Sequence, residues 1–189
     1  MGVKEANEIT VKVIVTNEEL KKFLEDSGFS EIERFSLDDS YFIPKNLEIS
    51  GLSEREILAK AVIVRNIIQE NCVKKKITFK IKDINSKGEI ISQKAINCTI
   101  YDIEEAKELL NVIGYYEIMN IKEDDIVYAK DGFEIAVKFL KDNTLMEIET
   151  DEKYDSIEKI KDKVLELGLP IDTSNFFVKK AEEQLKKIK

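Results

Sequence analysis

The chain has no histidine, no tryptophan, only two prolines and only two cysteines in 189 residues. Without histidine there is no Ser-His-Asp or Cys-His nucleophilic catalysis and no histidine-ligated zinc. Carboxylates, lysine, arginine, tyrosine and cysteine remain to do any chemistry. The seven glycines are isolated, so the chain has neither a G-x-G-x-x-G dinucleotide turn nor a G-K-[ST] phosphate loop. A phosphate held by this protein would be held by side chains. No apolar run approaches the roughly 20 residues that cross a bilayer. The opening MGVKEANEIT lacks the apolar stretch of a secretion signal. These absences point to a cytoplasmic protein with no membrane partner, in which Cys72 and Cys98 are reduced, partly buried thiols.

What is present is a globular composition, 43% hydrophobic and 36% charged, long enough for one domain spanning residues 1–189. The formal net charge of -8 argues against nucleic acid as a partner, since such binding needs a broad basic footprint. The run Lys74-Lys75-Lys76 and the tail QLKKIK read as solvated faces, though a local patch can still hold an anion.

Two segments match each other: TNEELKKFLEDSGFSEI, residues 16–32, and DIEEAKELLNVIGYYEI, residues 102–118. Aligned on Gly28 and Gly114, they share Glu18/Glu104, Glu19/Glu105, Lys21/Lys107, Leu24/Leu110, Glu31/Glu117 and Ile32/Ile118. Each has a Thr or Asp cap, acids in its first turn, apolar residues three and four apart, and a glycine stop, which predicts a helix. A strand-like run precedes each helix and another follows it, so the chain reads as two related halves. SEREILAK carries a capping box and predicts a further helix. DSIEKIKDKVLELG and SNFFVKKAEEQLKKI predict two more.

The remaining segments alternate. Glu8, Thr10 and Lys12 oppose Ile9, Val11 and Val13, and Lys76, Thr78, Lys80 and Lys82 oppose Ile77, Phe79 and Ile81. Glu134, Ala136 and Lys138 oppose Phe133, Ile135, Val137 and Phe139, and Glu147 and Glu149 oppose Met146 and Ile148. Each strand therefore has one apolar and one charged face. The fold class is α+β with a large antiparallel sheet. Helices covering the apolar side leave two architectures: a barrel curled around a charged lumen, or an open sheet with its charges in solvent.

In its order of motifs the chain resembles the CYTH superfamily, which includes class IV adenylate cyclases and thiamine or inorganic triphosphatases. Glu8-Ile9-Thr10-Val11-Lys12 stands where that family has E-x-E-x-K. The helix ending at Gly28, the D-x-Y of Asp39-Ser40-Tyr41, Arg65 in VIVR, Lys80 in ITFK, the helix ending at Gly114, and Glu147-Ile148-Glu149 follow in family order. The resemblance covers nearly the whole chain. It implies a closed or nearly closed antiparallel barrel, a triphosphate tunnel with a charged interior, flanked by helices in two pseudo-symmetric halves. It further implies Glu8, Glu147 and Glu149 as ligands of Mg²⁺ or Mn²⁺, and Lys12, Arg65 and Lys80, with Lys82 as an addition, as phosphate contacts. Hard divalent ions prefer carboxylate oxygens, and a triphosphate needs cations on several sides.

Five positions depart from the family pattern. Thr10 replaces the second Glu of the opening motif, Ile63 the first Arg of R-x-R, Glu123 and Asp125 a Lys and an Arg, and Lys138 a metal-binding Asp. Unit charges 4 Å apart interact by roughly 4 kcal/mol at an effective dielectric of 20, so inverting gripping cations is expected to weaken turnover. Three readings follow: a metal-dependent triphosphatase or adenylate cyclase-like enzyme; a non-catalytic tunnel that binds a triphosphate or another anionic metabolite; and an interaction module whose interior charges pair with one another. The family contains dimers, so a homodimer is compatible with the resemblance. Tyr41 and Tyr128 are expected to serve core packing rather than a tunnel mouth.

Overall fold

The computed structural model describes residues 8–84, 90–150 and 156–189, without the side chains of 8, 82–84, 90–94, 149 and 150. The elements run β1 (Glu8–Lys12), α1 (Asn17–Asp26), β2 (Ser30–Pro44), α2 (Glu54–Leu58), β3 (Val62–Gln69), β4 (Cys72–Ile84) and β5 (Ile90–Thr99). They continue with α3 (Ile103–Val112), β6 (Tyr115–Lys130), β7 (Phe133–Leu140), β8 (Thr144–Thr150), α4 (Ile157–Leu167) and α5 (Lys180–Ile188). No helix among the described residues is long and apolar enough to cross a membrane.

The strands form an eight-stranded, mostly antiparallel sheet in the order β1-β8-β7-β6-β2-β3-β4-β5. Exchanging β1–β4 with β5–β8 turns this order into its own reverse, which is the topological form of the repeat seen in the sequence. The matched helices are built alike. In α1 the Thr16 hydroxyl accepts from Glu19 N while the Glu19 carboxylate answers the cap, and in α3 the Asp102 carboxylate accepts from Glu104 and Glu105 N. Leu24 and Leu110 are both buried. Gly28 and Gly114 sit at φ 81 and 97, left-handed values that a side chain would strain.

The expected closed barrel is not what the hydrogen-bonded ladder forms: its order has two ends, β1 and β5. At β1 the physical reason is visible. Its edge away from β8 is taken by residues 170–178. Thr10 N donates to Phe176 O at 3.0 Å, Val178 N to Thr10 O at 3.0 Å, Asp172 N to Lys12 O at 2.8 Å, and Ile14 N to Pro170 O at 3.1 Å. Backbone groups already matched in this way cannot pair with another strand. The same contacts correct a helix boundary. The C-terminal helix, expected over SNFFVKKAEEQLKKI, begins only at Lys180, because Phe176 and Val178 spend their backbone groups on β1.

Two compact units divide the chain, Met1–Phe35 with Glu123–Lys180, and Ser36–Lys122 with Ala181–Lys189. In the first, Ile9, Val11, Ile126, Tyr128, Ile135, Val137, Met146 and Ile148 form one buried cluster with Leu20 and Leu24 of α1 and Ile160 and Val164 of α4. In the second, Phe42 and Val64 pack against Ala106 and Leu110 of α3. Tyr41 and Tyr128 are buried, as expected of packing residues. Cys72 and Cys98 are exposed rather than partly buried. Because Thr10 is buried beside residues 170–178, Val178→Pro, which removes the N–H given to Thr10 O, is expected to cost about 1–3 kcal/mol in urea unfolding. Val178→Ala, which keeps that N–H, should cost clearly less.

Candidate functional site

The register of the first unit determines which charged side chains are neighbours. Asp125 lies opposite Lys138, Glu147 opposite both Ala136 and Thr10, and Glu149 opposite both Glu134 and Glu8. Residues two apart on a strand share a face, so Lys12, Glu147, Lys138, Asp125 and Glu123 all belong to the side away from the helices. The expected two-faced sheet is therefore observed here.

At the middle of that face Lys138 Nζ donates to Asp125 Oδ2 at 3.2 Å and lies 3.3 Å from Glu147 Oε1. Lys180 pairs with Glu123. Asp125, Glu123 and Lys138 are 0%, 3% and 8% exposed. Burial, with Glu123 adding repulsion, outweighs Lys138 and pushes the Asp125 carboxyl up to about 6. Burial alone would depress the Lys138 ammonium, but Glu147, Asp125 and Glu123 together hold it above its usual value. One oxygen on each acid, Asp125 Oδ1 and Glu123 Oε2, is buried without a hydrogen-bond partner among the described residues.

This geometry gives the charge inversions a local logic. Glu123 and Asp125 stand where the family resemblance calls for cations, and Lys138 where it calls for an acid, and two of these exchanges meet as the cross-strand pair Asp125–Lys138. An inversion that would be costly alone is offset by its partner. The arrangement also bears on the metal implied by the resemblance. Glu147 is the one expected ligand whose side chain is described, and an ammonium already occupies its carboxylate. Among the described residues no group of three or more acids, cysteines or histidines is arranged to hold a metal ion. The described donor set does not fit a divalent cation.

The second unit carries the opposite sign. Arg65 Nε and Nη2 grip Asp39 in a two-pronged bond of 2.6 and 2.5 Å, with the Asp39 carboxylate fully buried. Arg65 lies directly opposite Lys76, and Lys76, Thr78 and Lys80 share one face of β4. Thr78 is held by Asn97 at 2.8 Å. Burial first, then repulsion from Arg65, lowers the Lys76 pKa, and Asp39 opposes that only in part. No hydrogen bond or ion pair reaches the half-buried Lys76 ammonium among the described residues. On the other face of the same strands a cleft of about 330 Å³ includes Asp38, Asn66, Lys75 and Lys107 in its lining. Its charges are largely paired at home: Lys75 donates to Tyr101 O at 3.1 Å, and Lys107 meets Glu117 at 3.5 Å.

Of the residues singled out in the sequence, Lys12 and Glu147 share the charged face of the first unit, and Arg65 and Lys80 belong to the second. The side chains of Glu8, Glu149 and Lys82 lie outside the described residues. Sequence reasoning took Lys76 as part of a solvated run and named Asp125 and Lys138 without pairing them. For the pair a signal exists. Asp131 and Gly132, at φ 51 and 78, make a two-residue hairpin turn, and counting outward from D-G brings Asp125 opposite Lys138.

No protein-family model and no curated protein matches the chain. Solved structures do. The PH1819 protein of Pyrococcus horikoshii superposes at a TM-score of 0.68 with 19% identity, covering 96% of this chain and 99% of the other. A putative adenylate cyclase of Vibrio parahaemolyticus gives 0.63 with 14% identity, over 95% and 97%. The putative adenylyl cyclase HpAC1 of Hippeastrum, described as having a dominant triphosphatase activity, gives 0.54 with 16% identity, over 89% and 91%. The chain has the fold of these proteins, consistent with the triphosphate tunnel fold that its motifs resemble.

The raised Asp125 carboxyl makes a pH prediction. A native state that holds this proton more tightly than the unfolded chain gains stability at low pH and loses it as pH rises from 3.8 to about 6. The expected contribution has a slope of at most about 1.4 kcal/mol per pH unit. Asp125→Asn should remove it from a series of urea titrations between pH 4 and 7.

Proposed function

We propose that the protein binds a phosphate-bearing anion, of the nucleotide or inorganic triphosphate class, through Arg65, Lys76 and Lys80 of the second unit. One observation carries the reading: Arg65 and Lys76 face each other across β3 and β4, and among the described residues of the second unit Asp39 is the buried acid that meets Arg65. Like charges directly opposite in a sheet destabilise it by roughly 0.2–1 kcal/mol, a cost that a bound anion turns into attraction. Asp39 orients the Arg65 guanidinium, and Thr78 and Ile63 flank the cations on the same face. The fold likeness to a protein described as a triphosphatase supports a triphosphate as the first ligand to try.

Metal-dependent turnover, as a triphosphatase or adenylate cyclase-like enzyme using Mg²⁺ or Mn²⁺, is the second reading. It is favoured by Glu8, Glu149 and Glu134, which the register lines up on three neighbouring strands. Acidic residues are the type that a hard divalent cation takes as ligands. Release of phosphate or pyrophosphate from ATP, thiamine triphosphate or tripolyphosphate, present only with the metal, would select it over binding alone.

Calorimetry with tripolyphosphate tests the first reading. Lys76→Met is expected to weaken binding about tenfold or more, the worth of a charge-assisted hydrogen bond. The same change should raise the stability of the unliganded protein by about 0.5 kcal/mol, since it ends the repulsion with Arg65. A wild type that takes up none of the three triphosphates, with no thermal shift, would retire the reading.

A further inference from the structure

The carboxylate face of the first unit already contains a cation. We propose that the Lys138 ammonium is the resident counter-ion of Asp125 and Glu147, a tethered replacement for a divalent metal, and that the protein takes its anionic ligand without one. The metal-free part rests on the reading that the protein binds a phosphate-bearing anion; the lysine's place among the carboxylates does not.

The geometry supports a replacement rather than a casual ion pair. Lys138 stands between acids from the two strands on either side of its own, Asp125 of β6 and Glu147 of β8, at 3.2 and 3.3 Å. These are ammonium distances; a Mg²⁺ ion would draw the same oxygens to about 2.1 Å. The site is closed as well as charged, with Asp125 fully buried, Lys138 nearly so and the Glu147 side chain only 25% exposed. Among the described residues, the charged groups facing this lysine come from the neighbouring strands and the start of α5. Glu123 and Asp125 come from β6, Glu147 from β8, and Lys180 neutralises Glu123 from the start of α5. With Lys138 in place a second cation there would meet an ammonium within a few ångströms, in surroundings that screen poorly. Without it, Asp125 and Glu147 would be left with one unneutralised charge each and a vacated space between them.

The proposal therefore predicts a latent metal site. Mn²⁺ alone is the probe, its binding measured by electron paramagnetic resonance and by calorimetry on the full chain. Lys138→Gln is expected to gain one Mn²⁺ site at least tenfold tighter than any on the wild type, whereas Lys138→Arg, which keeps the cation, should gain none. In the wild type, tripolyphosphate affinity should be the same within twofold in EDTA and in Mn²⁺. A wild type that binds one Mn²⁺ as tightly as Lys138→Gln, or whose tripolyphosphate affinity rises tenfold with Mn²⁺, overturns the proposal. A folded Lys138→Gln that gains no Mn²⁺ site overturns it too. If Lys138→Gln fails to fold, as judged by circular dichroism, the two wild-type measurements decide. A gained Mn²⁺ site in a protein that binds no triphosphate would leave the lysine's role standing and remove the ligand reading.

Discussion

The period-two alternation of the strands, sealed on one side by helices, governs the structure. Ile9, Val11, Ile135, Val137, Met146 and Ile148 are at or near zero exposure beneath α1 and α4. A one-residue slip of any of these strands would carry Glu147, Lys138 or Thr10 into that core. The desolvation cost of such a move holds the register. Once the register is held, Lys12, Glu134, Lys138, Glu147, Glu123 and Asp125 are committed to the other face, at cross-strand spacings of about 5 Å.

Charges placed so closely must be balanced, by one another or by something bound. The two units solve this differently. In the first, Lys138 and Lys180 answer Asp125, Glu147 and Glu123 from within the chain. In the second, Arg65 is held by the buried Asp39 and stands opposite Lys76, whose ammonium is disfavoured by its surroundings.

The chain shares the fold of the three solved structures described above at 14–19% identity. What the sheet requires is apolar residues at alternate positions and electrical balance on the opposite face. Lys138 opposite Asp125 meets that requirement as well as the reverse order would. The fold is therefore insensitive to which strand carries which sign, whereas the chemistry of the site depends on it directly.

Much of this was legible without coordinates, because the signals are local. Capping residues Thr16, Ser53 and Asp102, the glycines at 28, 114 and 168, the alternation of each strand and the internal repeat all act within a few residues of where they are read. They determined the α+β class, the starts of the capped helices, the two-faced strands and the division into two related halves. Tertiary structure alone decided the rest. Residues 174–179 continue a helical pattern in sequence, yet an unfilled strand edge at Thr10 holds part of them extended, and that edge is formed by a segment more than 160 positions away. The same contacts leave the sheet with an end at β1 where closure was expected. Whether Lys76 is solvated or half-buried, and whether Lys138 faces acids or water, depends on neighbours brought in by strand pairing. Local propensity is carried by adjacent residues, but the electrostatic environment of a side chain is created by the strands that pack beside it.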